Sequence, residues 1–185
     1  MPNKPVIRSR RLINDTGIFR IEEMDLEFAN GATRVYQRLL GSSRGAVMVV
    51  PLLDEKTVLL IREYTAGMER YELSFVKGRV EDGENLLDAA NRELQEEVGY
   101  AAGRLDLIRS VTMAPGYLLH NTHIVLARNL YPKRLPGDEP EPIEVVPWKL
   151  DDLDALLLRD DFTESRSITA FYLAKELLAR EKNHG

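Results

Sequence analysis

Three glutamates in the middle of the chain have a spacing that could hold a metal ion. Glu93 and Glu97 are four residues apart and Glu96 lies between them, so on a helix all three project over one surface. Carboxylates this close repel one another, and Arg92 alone does not neutralise three of them. A hard divalent cation such as Mg²⁺ does, because it takes carboxylate oxygens and keeps waters and substrate phosphates as its other ligands. The alternative is a solvated acidic helix face.

The composition limits what the chain can bind. Its 185 residues include 30 Asp and Glu against 25 Lys and Arg, and 44% of them are hydrophobic. This length fits one domain, or one domain with a small appendage, and the acidity argues against a sequence-independent grip on nucleic acid. There is no cysteine, which excludes a disulfide framework and a thiolate zinc site. Without a signal peptide or a long apolar run, we expect a soluble cytoplasmic protein with no membrane or nucleic-acid partner.

Hydrophobic spacing predicts the elements that must position the three glutamates. A helix is expected over residues 85–98, ended by Gly99, and a second over about residues 163–182. Asn30-Gly31 predicts a hairpin within the first forty residues. Further strands are predicted at 46–53, 58–61, 111–113, 124–127 and 143–148. Strands on both sides of one central helix, with another helix at the end, indicate an α/β or α+β fold.

The glutamates belong to a longer fixed pattern between residues 78 and 100. The positions of this pattern are Gly78, Glu84, Arg92, Glu93, Leu94, Glu96, Glu97 and Gly99. This pattern resembles the Nudix box, Gly-x5-Glu-x7-Arg-Glu-U-x-Glu-Glu-x-Gly-U, in which U is a bulky aliphatic residue. Tyr100 at the last U is the one departure, at a packing position. The resemblance implies a Nudix hydrolase with the Nudix fold, an α/β/α sandwich of mixed sheets.

The same resemblance implies roles for the carboxylates. The box helix would present them to Mg²⁺, with Mn²⁺ as a second candidate. Glu93 and Glu97 are then the principal metal ligands, and Glu96 is a further ligand or a water-activating residue. The backbone carbonyl of Lys77, just before the box glycine, is expected to be an additional ligand.

Residues after the box indicate the substrate. Pro115 lies 16 residues after Gly99, in a segment similar to the Ser-Pro-Gly-Phe of ADP-ribose pyrophosphatases. By this resemblance Pro115 and Tyr117 would bind substrate, and the tyrosine ring could stack on adenine. The alternative is an ordinary Pro-Gly turn.

Residues before the box resemble the strand ending in Gln-Tyr-Arg and the Glu-Leu-Pro-Ala-Gly segment of the same enzymes. Thr65 stands where many of them carry an arginine, so Arg62 becomes the better candidate for a substrate phosphate contact. Glu72 is the second candidate for substrate binding in this region. A further departure is the Phe-Val-Lys-Gly of residues 75–78, which looks like the Phe-Pro-Lys-Gly of dinucleoside polyphosphate hydrolases.

An acidic loop at residues 137–145 is the candidate source of a general base. In ADP-ribose pyrophosphatases a loop similar in its Asp-Glu-x-Glu-x-Ile core brings a glutamate over the metal site. The resemblance points to Glu139 first and to Glu141 second, and a loop can bring such a base within reach of the attacking water. The alternative is a solvated acidic loop stiffened by Pro140 and Pro142.

From residue 34 to about residue 178, the order of motifs is most similar to the bacterial ADP compounds hydrolase branch of the family. That similarity implies hydrolysis of ADP-ribose, diadenosine triphosphate and NADH with release of AMP. It also implies a homodimer, in which residues 1–42 form a dimer-forming β region and residues 43–185 the Nudix domain. The alternatives are a Nudix hydrolase of nucleotide sugars or other dinucleoside polyphosphates, and a ligand-sensing Nudix module. The sensing module is disfavoured because every box carboxylate is present.

Overall fold

The structure, a computed structural model, describes residues 3–184. Its strands form a four-stranded N-terminal sheet and a seven-stranded central sheet. In chain order the strands are β1 (Val6–Asp15), β2 (Arg20–Glu27), β3 (Thr33–Leu40), β4 (Ala46–Asp54), β5 (Thr57–Thr65), β6 (Arg70–Ser74), β7 (Val76–Arg79), β8 (Tyr100–Thr112), β9 (Leu118–Leu119), β10 (Asn121–Pro132) and β11 (Glu144–Lys149).

The N-terminal sheet has the order β1-β2-β3-β9. The predicted hairpin is present: β2 and β3 pair antiparallel, and Gly31 in their turn has a φ of +82°. Strand β1 precedes this hairpin, and its pairing with β2 has two irregularities. Every residue of β1 is exposed, including the apolar Val6, Ile7, Leu12 and Ile13. The sheet therefore presents an uncovered apolar strand.

The central sheet is buried on both faces. Its main path is β11-β5-β4-β10-β8, with β6 paired to β5 and β7 paired to β4. Side chains of β4 alternate between two apolar clusters, with Val47 and Val49 in one and Met48 and Val50 in the other. Strands buried on both faces read as continuous apolar runs, and this is why residues 46–53 and 58–61 were predictable as strands.

Helices cover both faces of this sheet. They are α1 (Leu86–Glu93), which continues into a π-helical turn (Leu94–Val98), α2 (Leu153–Leu157), which follows a short 3₁₀ turn, and α3 (Ser165–His184). The cluster containing Val47 includes α1 residues, and the cluster containing Met48 includes residues of α2 and α3. This arrangement confirms the predicted α/β/α sandwich of mixed sheets. Within the described residues, no helix is long and apolar enough to cross a membrane.

The segment between β10 and β11 has neither helix nor strand, as its prolines predicted. Its first residues are fixed by backbone hydrogen bonds, from Lys133 N to the Gly99 carbonyl (3.0 Å) and from Leu135 N to the Gln95 carbonyl (3.2 Å). The acidic loop thus begins beside the end of the box helix, and it ends where β11 joins β5 at Glu144.

Candidate active site

The box helix begins and ends as its sequence predicts, but its last turn is wider than an α-helical turn. The side chain of Asn85 caps the start by accepting from Leu87 N at 2.9 Å. At the other end, Gly99 N donates to the carbonyl of Leu94 at 3.2 Å, an i to i+5 bond, and Gly99 has a φ of +81°. Single π turns of this kind are frequent at functional sites. Here the turn carries Glu96 and Glu97.

Glu93 and Glu97 are buried, with only 8% and 5% of their surface exposed. The strand opposite makes room for the first of them. A Cβ at Gly78 would lie 1.9 Å from the carboxyl carbon of Glu93, so any larger residue in β7 would displace that carboxylate. This close approach is the physical reason for a glycine at the start of the box.

Arg92 organises the loop that precedes the helix. Its Nε donates to Glu84 at 2.9 Å and its Nη2 to the carbonyl of Arg79 at 3.0 Å. Its Nη1 donates to Glu93 at 2.7 Å and to Glu96 at 2.9 Å. The hydrogen bond with Glu84 is the largest cause that raises the pKa of Arg92, so the guanidinium is a permanent positive charge in the site.

Glu97 has no comparable partner. Its Oε2 is buried and makes no hydrogen bond. Burial, the largest cause, and the negative charges of Glu93, Glu63 and Glu139 together raise its pKa to about 9, against a lowering by the nearby Lys77. Burial is also the main cause that raises the pKa of Glu93. An ionised pair of such carboxylates needs a cation that the described side chains only partly supply.

The donor set fits a hard divalent cation. Among residues 3–184, no three acidic or histidine side chains already converge on one metal-binding point, and Arg92 instead bridges Glu93 and Glu96. The Oε2 atom of Glu97, which has no hydrogen-bond partner, nevertheless belongs to a buried carboxylate near that of Glu93. Carboxylate oxygens are the ligands that Mg²⁺ prefers. The predicted ligands Glu93, Glu96, Glu97 and Lys77 line one cleft. Their ligand roles stay predictions.

This cleft has a volume of about 780 Å³ and separates the box from the acidic loop. Residues 136–140 form the wall opposite the glutamates, and Glu139 lies among them. Its carboxylate is close enough to raise the pKa of both Glu93 and Glu97. The structure therefore brings the first candidate for the general base together with the candidate metal ligands.

A smaller cavity of about 280 Å³ adjoins the cleft, and Glu63, Glu139 and Pro140 line both. Tyr64 and Tyr71 form its wall on the sheet side. Neither tyrosine was predicted from the sequence to be a site residue, although both lie in segments that resemble those of the family. Their proximity comes from the pairing of β5 with β6, and β6 was not predicted.

Glu141 and Arg62, two further predicted residues, line this smaller cavity. Glu141 accepts a hydrogen bond of 2.7 Å from the hydroxyl of Tyr71. Arg62 donates to Glu144 at 2.9 Å and to Asp161 at 2.6 Å.

Glu72 lies in a different environment. Its buried carboxylate accepts from the guanidinium of Arg70 and from the backbone N and hydroxyl of Thr163. It thus links β6 to the segment just before α3, and it is absent from the residues that line either cavity.

Pro115 and Tyr117 lie against the N-terminal sheet. They line a small cavity of about 150 Å³ together with Met24 and Tyr36, and the carbonyl of Tyr117 accepts from Leu39 N at 2.7 Å. Within one chain, the structure does not bring these two residues to the walls of the glutamate cleft. Their predicted contact with substrate stays a prediction.

Lys77 contributes more than the backbone carbonyl for which it was singled out. Its ammonium donates to Glu63 at 2.7 Å and to Ser74 at 3.3 Å. It is also the charge that lowers the pKa of Glu97. The sequence could have indicated this role of the Lys77 side chain, because Lys77 stands where the Pro-Ala-Gly segment has a small residue.

The fold and this arrangement of box residues define a class of protein. The model of the NUDIX domain matches residues 42–171, and that of the NudE-type Nudix hydrolase N-terminal domain matches residues 5–38. The chain therefore belongs to the Nudix family of hydrolases.

Particular members of that family are similar over nearly the whole chain. The ADP compounds hydrolase NudE of Escherichia coli (strain K12) is 45% identical over 95% of this chain and 94% of that protein. The ADP-sugar pyrophosphatase of Mus musculus is 32% identical over 94% of this chain and 88% of its own length. A crystal structure of an ADP compounds hydrolase superposes with a TM-score of 0.91 at 44% identity, covering 98% of this chain and 97% of that one.

Replacing Glu97 by glutamine should change how stability depends on pH. In the metal-free protein the pKa of Glu97 is about 9 against an ordinary 4.5. The folded carboxyl therefore keeps its proton while the unfolded one loses it, and stability falls as pH rises between these values. The slope contributed is at most about 1.4 kcal/mol per pH unit. Glu97→Gln should remove it, as measured by urea unfolding in a chelator from pH 5.5 to 8.5.

The same variant should lose the stabilisation that a divalent cation gives, and its turnover should fall on the order of 10³-fold. Glu96→Gln is the matched control for the pH slope, because Glu96 is a neighbouring carboxylate that is paired with Arg92 and more exposed. A Glu97→Gln protein with the original slope and near-normal turnover at saturating Mg²⁺ would show that Glu97 is not a metal ligand.

Proposed function

We propose that the chain is a Mg²⁺-dependent pyrophosphohydrolase that cleaves the phosphoanhydride bond of ADP-containing compounds and releases AMP. The proposed substrates are ADP-ribose, diadenosine triphosphate and NADH, and Mn²⁺ could replace Mg²⁺. One observation carries the proposal: a buried carboxylate oxygen of Glu97 without a partner, in the wall of a cleft large enough for a nucleotide. The similarity to proteins named for ADP compounds and ADP-sugars supports the substrate class.

The box residues hold the cation in this proposal. Glu93 and Glu97 are the principal ligands, with Glu96 and the Lys77 carbonyl as additional ones. A divalent cation bound there supplies positive charge that stabilises the phosphate oxygens as negative charge develops. Arg92 keeps the box loop in place through Glu84 and the Arg79 carbonyl, independently of that charge.

Glu139 is the proposed general base. It takes a proton from the water that attacks one phosphorus, while the bond from that phosphorus to the bridging oxygen breaks. The electron pair of that bond leaves with the second phosphate group. Two observations favour Glu139 over Glu141: its charge reaches both Glu93 and Glu97, whereas the Glu141 carboxylate is held by Tyr71.

The part of the substrate that does not react is proposed to extend into the smaller cavity. Arg62 would contact it through guanidinium N–H groups that Glu144 and Asp161 do not use. For Glu72, the buried bonds to Arg70 and Thr163 support an indirect contribution, through the position of β6 beside that cavity.

A second copy of this chain is the proposed partner, with residues 1–42 as the dimer-forming region and residues 43–185 as the catalytic domain. The support is the uncovered apolar surface of the N-terminal sheet, where β1 is exposed throughout and Ile18 and Phe19 at its turn are 73% and 60% exposed. Because Pro115 and Tyr117 lie on this sheet, their contact with substrate is proposed to depend on the dimer.

A panel of nucleotide substrates tests the proposed activity. With Mg²⁺, ADP-ribose should give AMP and ribose 5-phosphate, and diadenosine triphosphate and NADH should also give AMP. Chromatography of the products identifies the bond that is cleaved, and a chelator should stop the reaction. Faster cleavage of a UDP-sugar than of any ADP compound would instead support the nucleotide-sugar alternative. Binding of ADP-ribose without any product would support a sensing module.

Glu139→Gln tests the general base. Because a proton-accepting interaction grows mainly in the transition state, kcat should fall by roughly 10²–10⁴-fold while KM changes little. The acid limb of the pH–rate profile should change as well. Glu141→Gln is the matched control and should be milder. If Glu141→Gln causes the larger loss of kcat, the two roles are exchanged.

The dimer is tested by placing charge on the exposed apolar turn of the N-terminal sheet. Ile18→Asp with Phe19→Asp should shift the protein from dimer towards monomer in sedimentation equilibrium, because the charges would be buried in the interface. Leu158→Asp is the control, since Leu158 is 86% exposed and lies just after α2, outside the N-terminal sheet. A double variant that dimerises as tightly as the control would contradict the proposal.

A further inference from the structure

The middle of the acidic loop, residues 136–143, is held by a single hydrogen bond, and at its end Ile143 packs against the core. Among residues 3–184, one hydrogen bond reaches this stretch, from the hydroxyl of Tyr71 to Glu141 at 2.7 Å. The ends of the loop are fixed by backbone bonds, at Leu135 to the carbonyl of Gln95 and at Glu144 in β11. Between Leu135 and Ile143, the Tyr71 bond is the one hydrogen bond of the described residues that holds the loop over the cleft.

The hydroxyl of Tyr71 comes from a rigid support. Tyr71 lies in β6 directly opposite Tyr64 in β5, and the two rings meet edge to face with centroids 5.5 Å apart. This contact restricts the ring of Tyr71. The hydrogen bond with Glu141 is the largest cause that raises the pKa of Tyr71, so the phenol keeps its proton and remains a donor at neutral pH.

The bond to Glu141 also constrains Glu139, two residues earlier. Glu139 lines both the glutamate cleft and the smaller cavity, so a small displacement of the loop would move its carboxylate away from the box. A misplacement of about 1 Å in a reacting group can cost on the order of 10²-fold in rate. The one hydrogen bond of this stretch, at Glu141, is therefore two residues from Glu139, the proposed general base.

We propose that Tyr71 is a positioning residue, which holds the acidic loop over the cleft through Glu141 so that Glu139 reaches the attacking water. The inference rests on the proposed function, in which Glu139 is the general base. Tyr71 itself transfers no proton, and Glu141 acts as the acceptor of this bond.

Tyr71→Phe removes the bond and keeps the ring. Loss of one hydrogen bond to a charged acceptor should lower the population of the positioned loop, and with it kcat, by about tenfold. KM should stay within about threefold, because substrate binding does not require the base. The acid limb of the pH–rate profile should keep its position, since Glu139 is still the base. Tyr172→Phe is the matched control: Tyr172 on α3 has the same exposure as Tyr71, 47%, and its hydroxyl makes no hydrogen bond in the described structure.

Variants of Glu141 test the other side of the same bond. Glu141→Ala should resemble Tyr71→Phe, whereas Glu141→Gln keeps an amide oxygen that can accept from the hydroxyl and should restore most of the lost rate. If both residues act through one bond, the double variant Tyr71→Phe with Glu141→Ala should be no slower than the slower single variant. Melting temperatures should be unchanged, because both side chains are exposed.

Four results would overturn the inference. A kcat for Tyr71→Phe within about twofold of the control, or additive losses in the double variant, would show that the bond does not position the base. A higher KM at unchanged kcat would make Tyr71 a substrate contact, and a shifted alkaline limb would make it a proton donor. The result for Glu139→Gln separates the two proposals. If that variant is slow and Tyr71→Phe is not, only the positioning role is lost; if both are active, the general base itself is wrong.

Discussion

The unpaired carboxylate of Glu97 is the constraint on which the site depends. An ionised carboxylate in a buried place costs several kcal/mol unless a cation accompanies it. Without a cation, Glu97 avoids this cost at neutral pH by keeping its proton, since its pKa is about 9. Its setting is well packed, because Leu94 and Val98, its apolar neighbours on the turn, are core residues. Gly78 then lets the backbone of β7 approach Glu93 closely enough to confine the second carboxylate. The core thus fixes two acidic groups, and the described side chains leave one oxygen of Glu97 without a partner.

The cation that Glu97 lacks is not supplied by Arg92, the arginine of the box. The guanidinium already serves four acceptors: Glu84, Glu93, Glu96 and a backbone carbonyl. Those bonds join the loop to the helix, and they leave Glu97 without a partner. Lys77 only partly compensates, because its ammonium is shared with Glu63 and Ser74. The box therefore combines one arginine that stabilises its structure with a carboxylate that remains available for a ligand.

The parts of the site that could be predicted are those that are continuous in sequence. The box is a loop and a helix within 23 residues, so the spacing of Glu93, Glu96 and Glu97 alone placed them together. The buried strands were equally readable, because both of their faces are apolar. The π turn could not be predicted, since its wider bond to Gly99 leaves the residue pattern unchanged. The smaller cavity could not be predicted either, because its walls come from distant parts of the chain, such as Tyr71 and Glu141, which lie 70 residues apart.

In the proposed function, a general base on the loop, Glu139, repels the box carboxylates less than a base on the box helix would. The charge of Glu139 already raises the pKa of Glu93 and Glu97, so a carboxylate fixed permanently beside them would oppose their ionisation. On the loop, the Glu139 carboxylate lies in the wall of the cleft opposite the pair. A cation bound by Glu93 and Glu97, as proposed, would neutralise the pair and replace this repulsion by attraction.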